Sequence, residues 1–320
     1  MAMEYEIKFN GQPLFEKNEK RIVKMRLCEP MTGVNDKTGI LVLSGGFGSK
    51  MDSNVWRKMR HMFADKYNFI TLQVDYFGYC YMNHDFITMG TMPGESADCY
   101  NEMGPIQAMD HLRAICAVID IEKRNDNIID TGKILFFGHS HGAYLAYLCN
   151  AFAPKLFSVI IENSAYLFPY YIDRARKIQY YAGEELKEIY HYYIEDKVED
   201  RCIYDLKYLY QRFHNTAQIL SFHGTEDSMV TYDMKREFLQ GVDNSILHQI
   251  SSENSDNLVF GSATHSLDTN FFAFFGLVSS KYDLQNPLVT GGEFSKRVFR
   301  TPSFKYRIVM EEEYPIMYRE

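Results

Sequence analysis

Apolar runs without internal alternation place the tightest limit on what this chain can become. Residues 39–48, 68–78, 133–142, 156–165 and 217–227 each string Ile, Leu, Val and Phe together, and 245–250 is a weaker member of the set. A half-exposed strand would alternate apolar with polar; a continuous run predicts a strand covered on both faces, as in a parallel sheet. Residues 22–28 do alternate and read as half exposed. Between the runs lie stretches whose apolar residues recur at three and four: 53–67, 104–123, 142–153 and 269–284. Strands alternating with helices predict an α/β fold, a mostly parallel central sheet with helices on both faces. Several runs end in glycine-containing turns, and open α/β sheets carry their sites beyond the carboxyl ends of the strands.

Two segments interrupt the alternation. Residues 166–213 are dense in Tyr and charge and lie between two predicted strands, so we expect an inserted helical cap. Residues 285–320 form a C-terminal extension on the single domain, 1–320. Within it 303–310 alternates like an edge strand suited to pairing with 5–9. The exposed tail leaves a dimer open, and the sequence does not set the oligomeric state.

The chain is 320 residues long and 46% hydrophobic, enough for a sizeable core. A net charge of −8 without a Lys/Arg stripe argues against a nucleic-acid partner. No apolar run reaches membrane-helix length, and the first residues lack a basic start and apolar core, so a cytoplasmic, membrane-free protein is expected. The six cysteines show no CxxC and no regular spacing, which predicts reduced thiols.

The candidate chemistry centres on Gly138-His139-Ser140-His141-Gly142. An apolar run feeds into Gly138 and an amphipathic run starts at Gly142. Strand, sharp turn and helix is what a nucleophile elbow requires. Larger side chains at 138 and 142 would collide in such a turn. A serine needs a base, and the base needs an orienting acid. Asp227, in His223-Gly224-Thr225-Glu226-Asp227, follows a predicted strand, and His265 lies in a polar loop before the last predicted helix.

The order Ser140, Asp227, His265, together with HGTEDSMV at 223–230, resembles the α/β-hydrolase superfamily, nearer its serine esterase and prolyl-oligopeptidase-like branch. The resemblance covers roughly residues 20–284 and implies a Ser140–His265–Asp227 triad, with Asp227 rather than Glu226 as the acid. His223 then has a structural part, holding the turn. The resemblance also implies an oxyanion hole from the backbone N–H of His141 and of Phe47. The latter lies in Gly45-Gly46-Phe47-Gly48, similar to the family's H-G-x-G with Gly45 at the His position. DYFGYC at 75–80 is similar to a D-x-R-G-x-G stretch but lacks the Arg, so no role is carried over. The stretches around IQAMDHLRA, GHSHGAYLAYLCNAFAP and IENSAY are similar to a little-characterised bacterial group without an assigned activity.

The expected activity is hydrolysis of a carboxylic ester, a sugar O-acyl ester among the choices, on a small-molecule or glycan substrate. Tyr166, Phe168 and Tyr170, just after a strand, are candidates for substrate contact. No cofactor and no metal are expected. A peptidase, a thioesterase and a catalytically inactive binding scaffold remain alternatives, as does a His139-x-His141 metal pair, which lacks the helical HxxxH or HExxH spacing of many zinc sites.

Overall fold

The computed structural model describes residues 2–17, 19–82, 94–182, 185–195 and 197–320. Eight strands form the central sheet: β1 (Met3–Asn10), β2 (Ile22–Glu29), β3 (Gly39–Ser44), β4 (Phe69–Asp75), β5 (Ile134–His139), β6 (Val159–Asn163), β9 (Gln218–Gly224) and β10 (Ser245–Ile250). Their order is β1-β2-β4-β3-β5-β6-β9-β10. The six strands from β4 to β10 run parallel, while β1 and β2 are joined antiparallel at one edge. All six continuous apolar runs of the sequence are strands of the parallel part.

Covering both faces follows from the side-chain period of two. Along β3, Ile40 and Val42 enter one core and Leu41 and Leu43 the other. The first core takes in α2 (Pro105–Arg124) and α3 (His141–Phe152) through Met109, Leu112, Tyr144 and Leu148. The second is closed by α1 (Asn54–Tyr67) and a helix at Phe271–Lys281, through Met59, Phe63, Phe274 and Phe275. Phe63 and Phe275 stack with centroids 4.3 Å apart. Among the described residues, no helix is long and apolar enough to cross a membrane.

The inserted segment differs from the expected helical cap. It carries an antiparallel hairpin, β7 (Arg176–Ala182) with β8 (Glu185–Tyr190). Its only α-helix among the described residues is the short α4 (Leu206–Tyr210). The reason lies in local pattern. KIQYYA and ELKEIY place Ile, Tyr and Leu against Lys, Gln and Glu at near period two, and Tyr and Ile favour strands. The Glu and Lys content of the same stretch favours helix, which is why composition alone points the other way.

The tail also corrects an expectation. Residues 303–310 do not pair with 5–9. Strand β12 (Lys305–Glu311) lies between β11 (Arg297–Arg300) and β13 (Tyr314–Arg319) in a separate antiparallel sheet. Glu312, at φ 56°, turns the β12–β13 hairpin. A nearby partner costs little loop-closure entropy, whereas β1 presents Glu4, Glu6 and Lys8, charges that blunt a sheet edge. The tail sheet buries Phe299, Tyr306, Ile308 and Met317 in the first core. Arg113 of α2 donates to Pro315 O at 2.7 Å. The Gln12 amide donates to Met317 O at 2.8 Å and accepts from Met317 N at 2.9 Å, a pairing across 305 residues.

Candidate active site

Strand β5 is buried from Ile134 to Gly138 and delivers Ser140 to the carboxyl rim of the sheet. Ser140 has φ 52° and ψ −114°, a region in which L-residues are strained, and α3 starts at the next residue. Its N–H donates to Asn163 O on the adjacent β6 at 2.8 Å. A Cβ at Gly138 would meet Ala143 Cα at 2.5 Å, and one at Gly142 would be driven into the carbonyl of Ser44. The two glycines therefore permit the sharp turn and its packing between β3 and α3.

Ser140 Oγ lies 2.8 Å from His265 Nε2, and His265 Nδ1 lies 2.8 Å from Asp227 Oδ2. The other Asp227 oxygen accepts from the N–H groups of Met229 at 2.8 Å and Val230 at 3.1 Å. Burial alone would push this carboxyl up; the hydrogen bond and charge of His265, with His223 and the Val230 amide, outweigh it and hold Asp227 below the usual carboxylate range. An ionised Asp227 only accepts, so Nδ1 carries the proton and Nε2 is left to accept from Oγ. His223 is 3.7 Å from Asp227 and its Nε2 donates to Val230 O at 2.7 Å, tying down the turn that presents the acid.

The loop after β3 reaches the serine from the other side. A Cβ at Gly46 would sit 2.8 Å from Ser140 Cβ, so only glycine permits this approach. Among the described residues, the backbone N–H groups of Phe47 and His141 meet no acceptor. The neighbouring amides of Gly48 and Ser49 are already bonded, to Met82 O and Gly46 O. The His141 ring turns inward, its Nε2 2.7 Å from Gln107 Oε1. Burial, then the charge of Arg176, lowers its pKa to about 3, so it stays neutral.

Several solved structures share the overall fold. Est1E from Butyrivibrio proteoclasticus matches with a TM-score of 0.51 at 16% identity, over 87% of this chain and 98% of that one. An S-formylglutathione hydrolase from Agrobacterium tumefaciens matches with a TM-score of 0.55 at 14% identity, over 89% and 96%. Dipeptidyl peptidase 4 of Porphyromonas gingivalis matches with a TM-score of 0.55 at 12% identity, over 87% of this chain but 35% of its own. The chain has the α/β-hydrolase fold. Residues 82–187 also match a family of proteins of unknown function, DUF2920. No curated protein matches the chain.

Within this α/β-hydrolase fold the remaining candidates separate. Tyr166 belongs to the site: its ring stacks on the His265 imidazole at 5.6 Å and 8°, and its hydroxyl is 3.3 Å from Ser140 Oγ. Phe168 and Tyr170 are instead covered by arginines, Arg201 at 4.5 Å and Arg174 at 4.5 Å, and no described contact joins them to Ser140 or His265. The imidazoles of His139 and His141 diverge. His139 packs on Phe271 at 4.9 Å, beside a cleft of about 390 Å³ that runs from Gly46 and Phe47 to Val55 and Trp56.

The residues that hold the His265 loop carry little signal in the sequence. Ser266, Leu267 and Asp268 all have positive φ. Ser164 Oγ accepts from the Ser266 N–H at 3.1 Å, and Asn163 Nδ2 donates to Ser266 O at 3.3 Å and Thr269 Oγ1 at 2.7 Å. The available signal was the polar stretch Glu162-Asn163-Ser164 at the end of the apolar strand run. Arg176, whose guanidinium lies 3.6 Å from the Phe47 ring centroid, is likewise without a local signal.

Proposed function

We propose that this protein is a serine hydrolase that cleaves a carboxylic ester through an acyl-enzyme. The observation that carries the reading is the continuous chain of hydrogen bonds from Ser140 Oγ through His265 to Asp227, at 2.8 Å and 2.8 Å. Ser140 Oγ attacks the ester carbonyl carbon while His265 Nε2 takes its proton. Asp227 holds the tautomer and stabilises the imidazolium. The carbonyl oxygen, now negative, is met by the Phe47 and His141 N–H groups, each donor of this kind contributing roughly 10²- to 10³-fold in rate. Collapse expels the alcohol, which takes the proton from His265. Water then attacks the acyl-enzyme, again losing its proton to His265, and the acid leaves as Ser140 is restored. Every proton is moved by these side chains, so the sequence of steps calls for no cofactor.

A small-molecule ester is supported by the cleft beside Gly46 and Phe47, with apolar walls from Val55, Trp56 and Phe271. Est1E has been solved with ferulic acid bound, which supports the same substrate size class. A fluorophosphonate probe tests the reading, read alongside hydrolysis of 4-nitrophenyl acetate. Wild type should be labelled, and Ser140→Ala should lose both labelling and at least about 10⁴-fold in kcat. Equal labelling and turnover in Ser140→Ala, or none in wild type, would overturn it.

A further inference from the structure

Arg176, the first residue of β7, is half buried against the site. Its guanidinium carbon is 3.6 Å from the centroid of the Phe47 ring and 3.7 Å from that of Tyr171. The flat cation is thus held between two aromatic faces. Its Nε donates to Tyr192 Oη at 2.7 Å. Among the described residues, Nη1 and Nη2 meet no acceptor and no carboxylate pairs with Arg176. The contrast with its neighbours is informative. Arg201 holds Asp173 in a two-pronged ion pair at 2.6 Å and 2.6 Å, and Arg174 Nη1 donates to Tyr170 Oη at 2.6 Å.

Three features bear on Ser140. Phe47 follows Gly46, which crowds the serine, and carries one of the two free amides. Tyr171 follows closely on Tyr166, whose hydroxyl is 3.3 Å from Ser140 Oγ. Burial raises the Tyr166 phenol and lowers the His141 imidazole, and in each the next largest influence is the charge of Arg176. A cation between ring faces keeps its attraction to the rings but has given up water on both sides. Its donors are offered only at the edge, and two of them lie side by side there.

We infer that Arg176 binds a carboxylate of the substrate, making the preferred substrate an ester that also carries a carboxylate group close to the scissile bond. This rests on the hydrolase reading above. Two parallel N–H donors on a planar group match a planar carboxylate in a way a lysine cannot. Among the described residues no second cation joins the sandwich, as a dianionic phosphate would favour.

The test compares esters that carry a free carboxylate with the same esters in which it is capped by methyl. One pair places the carboxylate on the acyl side: mono-4-nitrophenyl succinate and its methyl ester. The other places it on the leaving group: 4-acetoxybenzoate and its methyl ester. In wild type the charged member of at least one pair should be preferred at least about ten-fold in kcat/KM, mainly through KM. Raising NaCl from about 0.02 M to about 0.5 M should shrink that ratio. In Arg176→Met the ratio should fall at least about ten-fold, with Arg176→Lys in between. A merely structural arginine would depress both members of a pair alike and leave the ratio where it was, which would overturn the inference. The wild-type ratio and its salt dependence need no variant to fold. Absence of any preference in both pairs, with Ser140-dependent probe labelling intact, would overturn the carboxylate site alone. Absence of labelling would overturn the hydrolase reading itself.

Discussion

Ser140 is held at φ 52°, ψ −114° because the turn between β5 and α3 leaves it no other choice. Such a conformation costs an L-residue about 1–3 kcal/mol, while glycine adopts it freely at an entropic cost of about 0.5–1 kcal/mol. Ser140→Gly is therefore expected to raise stability by about 1 kcal/mol, read as a higher urea midpoint, and to abolish probe labelling. A lower midpoint would mean that the turn is not strained. The same residue shows why part of the site could be read from the chain. Ser140, Asp227 and His265 each follow a strand or precede a helix in an order that few folds share, and Gly138 and Gly142 are needed for steric reasons that local sequence reveals. Arg176 and the stack of Tyr166 on His265 had no such signal. A guanidinium lodged between Phe47 and Tyr171 depends on where an insertion lands, and nothing in the residues flanking 176 encodes that.

Among the elements, the buried strands were legible because a parallel sheet covered on both faces demands continuous apolar runs, and β3, β4, β5, β6 and β9 supply them. The hairpin β7–β8 was not, because Tyr-rich, charged segments satisfy helix and strand patterns almost equally until a partner decides. The tail sheet was half legible: its alternation showed a strand, its partner did not. One buried carboxylate helps to join the tail to the insertion. Asp200 accepts from Thr301 Oγ1 at 2.6 Å and Tyr306 Oη at 2.9 Å, and from its own Cys202 N–H at 3.0 Å. Tyr306→Phe removes one donor and leaves the oxygen short of a partner, which should cost about 1–3 kcal/mol. Pairing it with Thr301→Val should cost more than either change alone, measured by urea denaturation. A neutral result in both would mean that water replaces the lost donors.

For the molecule as a whole, acid is the expected weakness. Burial lowers His111 and His223 to about 4, and His139 and His141 to about 3, the last two helped by the charges of His265 and Arg176 respectively. In the unfolded chain each imidazole binds its proton near about 6.5. Between about pH 6.5 and 4 these four imidazoles hold more protons in the unfolded state than in the folded one, and their contribution to stability rises with pH across that window; Glu102, pushed up to about 8 by burial, opposes them by one proton. Each imidazole contributes a slope on the order of 1.4 kcal/mol per pH unit at most, its share being complete above about 6.5. Urea midpoints measured at intervals from pH 7.5 to 5 should fall steeply. His111→Gln should flatten the fall by roughly one proton's worth, since the His111 ring is fully enclosed and its Nδ1 donates to Gln107 O. An unchanged slope would assign the lability to other groups.

The Gln12–Met317 pairing has its own bearing on how the chain is made. While the ribosome still holds Met317, the Gln12 amide lacks its distant partner, and the flank of α2 that carries Arg113 stays wet. Closing a loop of that span comes late in any folding sequence. Burial of this flank is barred by connectivity until the residues around Met317 have themselves left the ribosome: synthesis of one partner sets when the other can be locked in place.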